Sequence, residues 1–346
     1  MKAMILKKIC NLSENNSPLE LVELPIPTPK VKELLVKVLV CGVCHTDLDE
    51  IEGRIAPLQL PIILGHQVVG VVEAIGDKVH DFKIGDRVGV AWIFSACGAC
   101  EFCLSGNENL CESFVATGCH VNGGYAEYMT VSEDFIYKIP ENISNIHAAP
   151  LLCAGAIGYR SISLAGLKNG QRLGLTGFGA SGHLVLKIVK SMYPNSEVYV
   201  FARSFEQRAF AKQLGADWAG DTTDHAPYKL RSIIDTTPTW RPVVEALANL
   251  ASGGRLVINA IRKEDDNHDL LKIDYPVHLW REKEIKSVTN ITRRDVKEFL
   301  KLAAETAIKP EVQVFPFAQA NEALFELKMG KIRGAKVLKI ESGQLN

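Results

Sequence analysis

The chain has 346 residues, enough for about two domains of ordinary size. Hydrophobic residues make up 47% and charged residues 23%, and the formal net charge is −1, so the charge balance gives no reason to expect a nucleic-acid or membrane partner. No apolar run reaches the ~18 residues of a membrane-spanning helix, and the N-terminus lacks the apolar core of a signal peptide, so we expect a cytoplasmic protein.

The first 150 or so residues predict a β-rich domain. Apolar and β-branched runs, bounded by glycine, proline and aspartate, indicate strands. These strands are predicted at Val36–Val40, Val68–Ala74, Arg87–Trp92 and Tyr125–Val131.

After about Cys153 the pattern changes to alternating strands and helices, which predicts βαβ units on a doubly wound parallel sheet, an α/β fold. One helix is predicted to end at about Met192, a second runs through Leu214, and a third begins at about Pro242. The strands are predicted at Arg172–Thr176, Glu197–Ala202, Ser232–Thr236 and Arg255–Ala260.

Two shorter features follow this sheet. The polar run Arg262–Asp269 predicts a solvated loop. Further on, Thr292 with Asp295 three residues later predicts a capped helix N-terminus. Its apolar face follows at helical spacing with Val296, Phe299, Leu300 and Ala303.

Four of the nine cysteines have metal-ligand spacing: Cys97, Cys100, Cys103 and Cys111 form C-x2-C-x2-C-x7-C. Short gaps let thiolates on a tight turn converge, and four of them leave no open position, which suits a structural zinc. An iron–sulfur cluster is the alternative, although the spacing matches neither ferredoxin pattern well.

Three further residues could form an open metal site. Cys44 lies in GVCHTDL, His66 in GHQVVG and Cys153 in APLLCAG. Two thiolates and one imidazole would leave a fourth position for water or a substrate oxygen. Spacing alone does not decide this, because a buried thiol and a hydrogen-bonded core histidine are common alternatives.

GFGASG, which contains Gly177, Gly179 and Gly182, is a G-x-G-x-x-G turn between a predicted strand and a helix. This context predicts a dinucleotide site, with the pyrophosphate at the helix N-terminus. A glycine-rich loop without a ligand is the alternative.

The end of the next strand bears on the choice of cofactor. An NAD site usually has an acidic residue there, but this chain has Ala202, followed by Arg203 and Ser204. A guanidinium and a hydroxyl can bind a 2′-phosphate, so NADP is predicted to be preferred over NAD. Alternatively, Arg203 stacks on the adenine and NAD binds adequately.

These motifs occur together, and in the same order, in one known family. The chain resembles the zinc alcohol dehydrogenases of the medium-chain dehydrogenase/reductase superfamily over nearly its whole length. The resemblance implies a GroES-like β-rich catalytic domain, residues 1–152 with a return segment at 291–346, and a Rossmann domain at 153–290. It also implies two zinc ions per chain and a homodimer or homotetramer.

The resemblance also implies roles for individual residues. Cys44, His66 and Cys153 would bind the catalytic zinc, Thr46 would relay the alcohol proton, and Asp47 would support His66. His45 and Lys336 would meet the cofactor pyrophosphate, or else be ordinary surface residues. Trp92 would line the substrate pocket beside Thr46, or else be a core aromatic.

Two residues depart from the family pattern. Gln67 stands where a glutamate usually follows the zinc-binding histidine, and we expect a more electrophilic zinc in consequence. Asp49 stands where a histidine often ends the proton relay, so the proton could leave through Asp49, through ribose and water, or through no dedicated group. Cys10, Cys41 and Cys119 are interpreted as structural thiols.

The predicted function is a zinc-dependent alcohol dehydrogenase. It would transfer hydride reversibly between a primary or secondary alcohol, or its aldehyde or ketone, and NAD(P). The same fold could serve a polyol or a cinnamyl-type substrate. A zinc-free quinone reductase and a non-catalytic zinc- and dinucleotide-binding protein remain as alternatives.

Overall fold

The computed structural model describes residues 1–264 and 267–340, and the chain divides into two compact units. The first unit comprises Met1–Cys153 and the segment from Ile291 onward, and the second comprises Ala154–Asn290. The sequence predicts a return segment at 291–346, of which residues 341–346 lie outside the described residues.

The strands of the described residues are, in chain order, β1 (Lys2–Leu6), β2 (Leu19–Glu23), β3 (Glu33–Val43), β4 (Ile62–Ile63), β5 (Val68–Ile75), β6 (Arg87–Val90), β7 (Ile93–Ser95), β8 (Val115–Ala116), β9 (Tyr128–Ser132), β10 (Ile136–Lys138), β11 (Leu173–Thr176), β12 (Val198–Phe201), β13 (Trp218–Gly220), β14 (Leu230–Asp235), β15 (Leu250–Ile258), β16 (Glu284–Ser287), β17 (Val312–Pro316) and β18 (Ala335–Lys339).

The α-helices of the same residues are α1 (His45–Ile51), α2 (Glu101–Leu104), α3 (Asn145–Pro150), α4 (Ala156–Ala165), α5 (Ala180–Met192), α6 (Phe205–Gln213), α7 (Arg241–Asn249), α8 (Tyr275–His278), α9 (Arg293–Thr306) and α10 (Ala320–Lys328).

The first unit is built mainly from β-sheet. Its larger sheet has the order β10-β6-β5-β3-β18-β17, with β9 also paired to β3, and a smaller sheet has the order β2-β1-β4. Strand β18 comes from the end of the chain and pairs antiparallel with β3, with Lys336 opposite Val43. The return segment therefore completes the sheet from which α1 departs.

Helix α9 confirms the predicted cap. The backbone N–H of Asp295 donates to Oγ1 of Thr292 at 3.1 Å, and the backbone N–H of Thr292 donates to Oδ2 of Asp295 at 2.8 Å. Two helix-end groups are thereby satisfied reciprocally. The predicted apolar face is buried at all of its positions, Val296, Phe299, Leu300 and Ala303.

The second unit confirms the predicted α/β fold. Its sheet has the order β13-β12-β11-β14-β15-β16, and every pair of neighbours is parallel. The order reverses at β11, the place where ligands bind in open α/β sheets, at the carboxyl ends of the strands. The GFGASG turn leaves β11 at that end.

The predicted loop Arg262–Asp269 is wrong in two places. Asn267–Lys272 forms a 3₁₀-helix, and the side chain of Lys263 is only 9% exposed. Nζ of Lys263 lies 2.5 Å from Oδ2 of the fully buried Asp235, which compensates its charge. Sequence charge alone could not reveal this long-range pair. Residues 265 and 266 of the predicted loop lie outside the described residues.

One helical stretch, Asn145–Ala165, is long and apolar enough to cross a membrane by length and composition. Its most apolar window is 72% buried inside the protein, as in the core helix of a globular fold.

Candidate functional site

The structure brings the predicted open metal set together within the first unit. The ligand atoms of Cys44, His66 and Cys153 all lie within 4.8 Å of one another, and Sγ of Cys44 is 3.3 Å from Nε2 of His66. Two sulfurs and one ring nitrogen at this separation fit a zinc ion that keeps one coordination position open.

The three residues reach this point from three different elements. Cys44 directly precedes α1, and His66 lies just before β5. Cys153 lies in a π-helical turn, Leu151–Gly155, directly after Pro150. A π-helical turn widens the helix locally and is common at functional sites. Proline cannot donate the regular helix hydrogen bond, which favours the irregularity there.

Asp47 lies against both Cys44 and His66. Its Oδ2 accepts hydrogen bonds from the backbone N–H of Cys44 at 2.8 Å and from the hydroxyl of Tyr125 at 3.0 Å. Its Oδ1 is 3.7 Å from Nδ1 of His66, and both of these atoms are buried without a hydrogen-bond partner in the described structure. This arrangement suits a carboxylate that orients the ring. Sequence reasoning missed Tyr125, which is 78 residues away along the chain.

The electrostatics of the set favour one thiolate. A hydrogen bond from Cys153 lowers the pKa of Cys44 well below its usual value, and the charge of His66 lowers it further against the effect of burial. The same hydrogen bond raises the pKa of Cys153 well above its usual value, with help from burial. Burial lowers the pKa of His66, but the Cys44 thiolate and Asp47 outweigh it and raise the pKa to about 9. Metal binding would displace the protons of Cys153 and His66.

The remaining residues of α1 are almost all buried. Thr46 is 9% exposed beside Cys44, whereas His45 is exposed. The carboxylate of Asp49 is held by Nε of Arg54 at 2.5 Å, and Arg54 also pairs with Glu52. Sequence reasoning missed this ion pair at the position where the relay would end.

Glu50 differs from its neighbours on α1. It is 0% exposed, and neither carboxylate oxygen has a hydrogen-bond partner in the described structure. Sequence reasoning did not single it out, because an acid in a short helix is usually on the surface.

Gln67 and Trp92 are both buried near this region. Oε1 of Gln67 packs so closely on β3 that a Cβ added to Gly42 would lie 2.6 Å from it. Trp92 is 8% exposed and belongs to a small core cluster, with its ring centroid 5.2 Å from that of Phe114. The indole N–H of Trp92 and Nε2 of Gln67 are buried without a hydrogen-bond partner among the described residues.

The four cysteines of the predicted structural site also converge. The ligand atoms of Cys97, Cys100, Cys103 and Cys111 lie within 4.8 Å of one another. Backbone N–H groups of Ala99 and Cys100 donate to Sγ of Cys97 at 3.5 and 3.3 Å, and these bonds, in that order, lower the pKa of Cys97 to about 6. Sulfur donors at this spacing fit a closed tetrahedral zinc site.

The GFGASG turn has the geometry of a phosphate-binding turn. Gly177 has φ +78°, in the left-handed region, and a Cβ on Gly182 would lie 2.8 Å from the carbonyl oxygen of Gly177. A Cβ on Gly179 would meet nothing within 4 Å, so this side of the turn is open just before α5. The backbone can therefore approach a pyrophosphate there.

Beyond β12, Ala202 is buried and Arg203 is exposed. Ser204 caps α6, since its Oγ accepts from the backbone N–H of Gln207 at 3.1 Å, while its own proton makes no hydrogen bond within residues 1–264 and 267–340. Nη1 of Arg208 donates to the carbonyl oxygens of Ala202 at 2.7 Å and Arg203 at 3.0 Å. This side chain fixes the backbone of the segment.

Lys336 is not a surface residue. It is 0% exposed, and Nζ lies 2.6 Å from Oε2 of Glu326 and 4.6 Å from the ring centroid of Phe315. The ordinary surface alternative is therefore wrong. To contact a pyrophosphate, Nζ would have to interact with both Glu326 and the ligand. The predicted role of Lys336 in cofactor binding stays a prediction.

Known proteins similar to this chain share its length and fold. Residues 30–141 match the family model described as the alcohol dehydrogenase GroES-like domain. A probable alcohol dehydrogenase, AdhA, of Mycobacterium tuberculosis (strain CDC 1551 / Oshkosh) is 41% identical over 94% of this chain and 94% of its own length. An alcohol dehydrogenase of Geobacillus stearothermophilus is 35% identical over 99% of this chain and 100% of its own. The solved structure of a cinnamyl alcohol dehydrogenase from Sorghum bicolor matches 98% of this chain and 97% of its own, with a TM-score of 0.82 and 27% identity.

Proposed function

This chain belongs to the zinc-dependent medium-chain alcohol dehydrogenases and is an alcohol dehydrogenase, and we propose that Cys44, His66 and Cys153 hold its catalytic zinc. The observation that carries this proposal is the convergence of their three ligand atoms within 4.8 Å. When bound, zinc supplies Lewis acidity toward an alcohol or carbonyl oxygen, which eases hydride transfer to or from a nicotinamide.

Thr46 is proposed to handle the alcohol proton. Its hydroxyl lies next to Cys44 in the chain, on the first turn of α1, and 9% of the residue is exposed. A hydroxyl there can accept the substrate proton at Oγ1 while it donates its own to the next acceptor. Asp47 holds the imidazole of His66 in place for this chemistry, and Tyr125 in turn holds Asp47.

We propose that the proton does not leave through Asp49. Arg54 donates to its carboxylate at 2.5 Å, and Asp49 is only 8% exposed. Burial raises the pKa of Asp49 above its usual value despite the ion pair with Arg54, but the guanidinium already occupies the carboxylate and would have to release it before a proton could bind there. The cofactor ribose and water are therefore the preferred route.

The chain carries two zinc-site groups, and a nicotinamide dinucleotide is implied. We propose that NADP is preferred over NAD. The support is the absence of a carboxylate at Ala202, the exposed guanidinium of Arg203 and the hydroxyl of Ser204, whose proton has no acceptor among the described residues. His45 and Lys336 are proposed to meet the pyrophosphate.

We propose that four cysteines, Cys97, Cys100, Cys103 and Cys111, hold a structural zinc.

We further propose that Trp92 lines the substrate pocket beside Thr46. The similar Sorghum bicolor protein is a cinnamyl alcohol dehydrogenase, so aryl-propenyl alcohols are a second candidate substrate class beside simple alcohols and aldehydes.

A homo-oligomer, dimer or tetramer, is proposed as the assembly. Strand β16 is the edge of its sheet, and all four of its residues are exposed. Ile285 within this strand is 43% exposed, and Tyr275 and Trp280, which precede it in the chain, are 59% and 53% exposed. Exposed apolar side chains beside an edge strand are favourable to bury, and pairing with a second copy would bury them. The thiolate-rich metal sites suit a reducing compartment, and we propose a cytoplasmic location.

The experiment that tests the function combines metal quantitation with a panel of alcohols and aldehydes assayed with both cofactors. We expect two zinc ions per chain and a change in NAD(P)H absorbance with at least one substrate class. Two zincs without turnover on the whole panel would favour a dinucleotide-binding protein, and absence of the second zinc would contradict the proposed ligand set.

A further inference from the structure

Helix α1 and Glu52, the residue that follows it, carry four buried or nearly buried carboxylates between residues 47 and 52. Three of them have donors: Asp47 accepts from Cys44 and Tyr125, Asp49 accepts from Arg54, and Glu52 accepts from Arg54 and Lys328. Glu50 is the exception. Both of its oxygens are buried, and within residues 1–264 and 267–340 neither has a hydrogen-bond or ion-pair partner.

A buried carboxylate without a partner is costly, and native structures rarely keep one without a function. Glu50 is three residues after Asp47, so both side chains share one face of α1. The charges of Asp47 and Cys44 raise the pKa of Glu50, and the charge of Glu50 raises the pKa of Cys153. The indole N–H of Trp92 lowers the pKa of Glu50, although it makes no hydrogen bond of ordinary geometry in the described structure. Glu50 therefore belongs to the acid cluster around the open metal set.

The cluster contains more acidic groups than basic groups. Cys44, Cys153, Asp47 and Glu50 are all acids, whereas the bases that act on this group are His66, which is buried with them, and His45, which interacts with Cys44. Burial and the neighbouring acids together raise the pKa of Glu50 well above its usual value. A divalent cation bound to Cys44, His66 and Cys153 would relieve this repulsion.

The neutral side chain of Gln67 increases the importance of the Glu50 carboxylate for the charge around the metal set. The residue after His66 is a neutral amide, and its Nε2 is buried without a hydrogen-bond partner in the described structure. Asp47 lies against the imidazole of His66. Glu50 is therefore the carboxylate of this cluster that neither orients the imidazole nor accepts a hydrogen bond in the described structure.

We propose that Glu50 is a positioning residue of the catalytic metal centre, whose buried carboxylate strengthens the hold of Cys44, His66 and Cys153 on a divalent cation. The inference rests on the proposed ligand set. Glu50 raises the metal affinity through its charge and moderates the electrophilicity that a neutral Gln67 would otherwise leave to the metal.

The test measures metal affinity in the purified full chain. Wild type and Glu50→Gln are loaded with zinc, and a chromophoric chelator competes for the metal. We expect one of two zinc ions to be held about 10–100-fold more weakly in Glu50→Gln, the usual cost of removing an outer partner of a metal site. The zinc of the four-cysteine site should be unchanged, which provides an internal control.

Two further measurements distinguish positioning from packing. Cobalt(II) substituted at the open site should show a shifted visible spectrum in Glu50→Gln. The double variant Glu50→Gln/Gln67→Glu should recover most of the lost affinity, because it returns a carboxylate to the cluster. Packing alone predicts neither effect.

Glu50→Met covers the case in which Glu50→Gln does not fold. It has a similar volume without polar atoms, so the metal-free protein should be at least as stable as wild type while the metal affinity still falls. Equal affinity in wild type and either folded variant, with an unchanged cobalt spectrum, would overturn the inference. A wild type that binds only one zinc would instead overturn the proposed ligand set.

Discussion

One carboxylate oxygen of Glu108 accepts two hydrogen bonds from Arg293, from its backbone N–H at 2.7 Å and from Nε at 3.1 Å. Glu108 lies three residues before Cys111 and is 2% exposed, and Arg293 is the first residue of α9. The guanidinium also lies 5.1 Å from the ring centroid of Phe135. The four-cysteine lobe is therefore bonded directly to the return segment of the same unit.

Glu108→Gln should destabilise this unit. Burial alone would raise the pKa of Glu108, but the bonds from Arg293 outweigh it and lower the pKa below its usual value. The carboxylate thus stabilises the fold above the ordinary glutamate pKa, and this stabilisation is lost as the pH falls through the lowered value. Because Arg293 is 37% exposed, we expect a loss of about 1–2 kcal/mol at neutral pH.

Urea unfolding followed by circular dichroism at several pH values measures this difference. Glu112→Gln, an exposed residue of the same lobe, is the matched control and should cost nothing measurable. A difference between wild type and Glu108→Gln that grows toward acidic pH would contradict the assignment.

Cys111→Ser should remove one zinc ion per chain and leave the other. Cys111 is 2% exposed, and its Sγ is one of four sulfurs within 4.8 Å, so its loss opens the closed site. Because structural zinc contributes directly to folding, the midpoint of thermal unfolding should also fall. Metal quantitation by mass spectrometry checks the count. Cys10→Ser, at a cysteine outside both metal sets, should keep two zincs; loss of zinc from both variants alike would argue against the assignment.

The two metal sets are not equally predictable from the sequence. The four-cysteine site lies within a short segment, so its spacing alone indicates convergence. Cys44, His66 and Cys153 are brought together by β3, β5 and the π-helical turn, and only the resemblance to a known family connects them beforehand. Spacing along the chain carries no information about such long-range ligand sets.

The residues that sequence reasoning misjudged are those whose partners are distant or missing. Lys263 and Lys336 have the composition of surface residues, but each is buried against an acid, Asp235 or Glu326. Glu50 is buried with no acid–base partner in the described part of the chain. A hydrophobicity pattern reports the average exposure of a segment, whereas the burial of these side chains is decided by individual tertiary contacts.

Thr46→Val should lower kcat by about 10²–10⁴-fold, the usual contribution of a positioned proton-transfer group. Valine keeps the shape of threonine but removes Oγ1, so the proton of the alcohol loses its acceptor while the metal ligands stay in place. Thr46→Ser, which retains the hydroxyl, is the matched control and should keep most of the activity. Steady-state kinetics at constant zinc content make the comparison, and equal kcat in wild type and the valine variant would exclude the relay role.

Ala202→Asp should reverse the cofactor preference. The residue directly follows β12 and is 1% exposed, and its carbonyl oxygen accepts a hydrogen bond from Arg208, so a carboxylate there would project from a fixed backbone. It would repel a 2′-phosphate and could accept a hydrogen bond from a ribose 2′-hydroxyl. One charged hydrogen bond contributes about 1.5–3 kcal/mol, so kcat/KM should fall roughly 10–100-fold with NADP and rise with NAD. Ala202→Asn, without the charge, should retain the NADP preference. The ratio of kcat/KM for the two cofactors decides the matter: a wild type that already favours NAD would show that Arg203 and Ser204 do not select the phosphate.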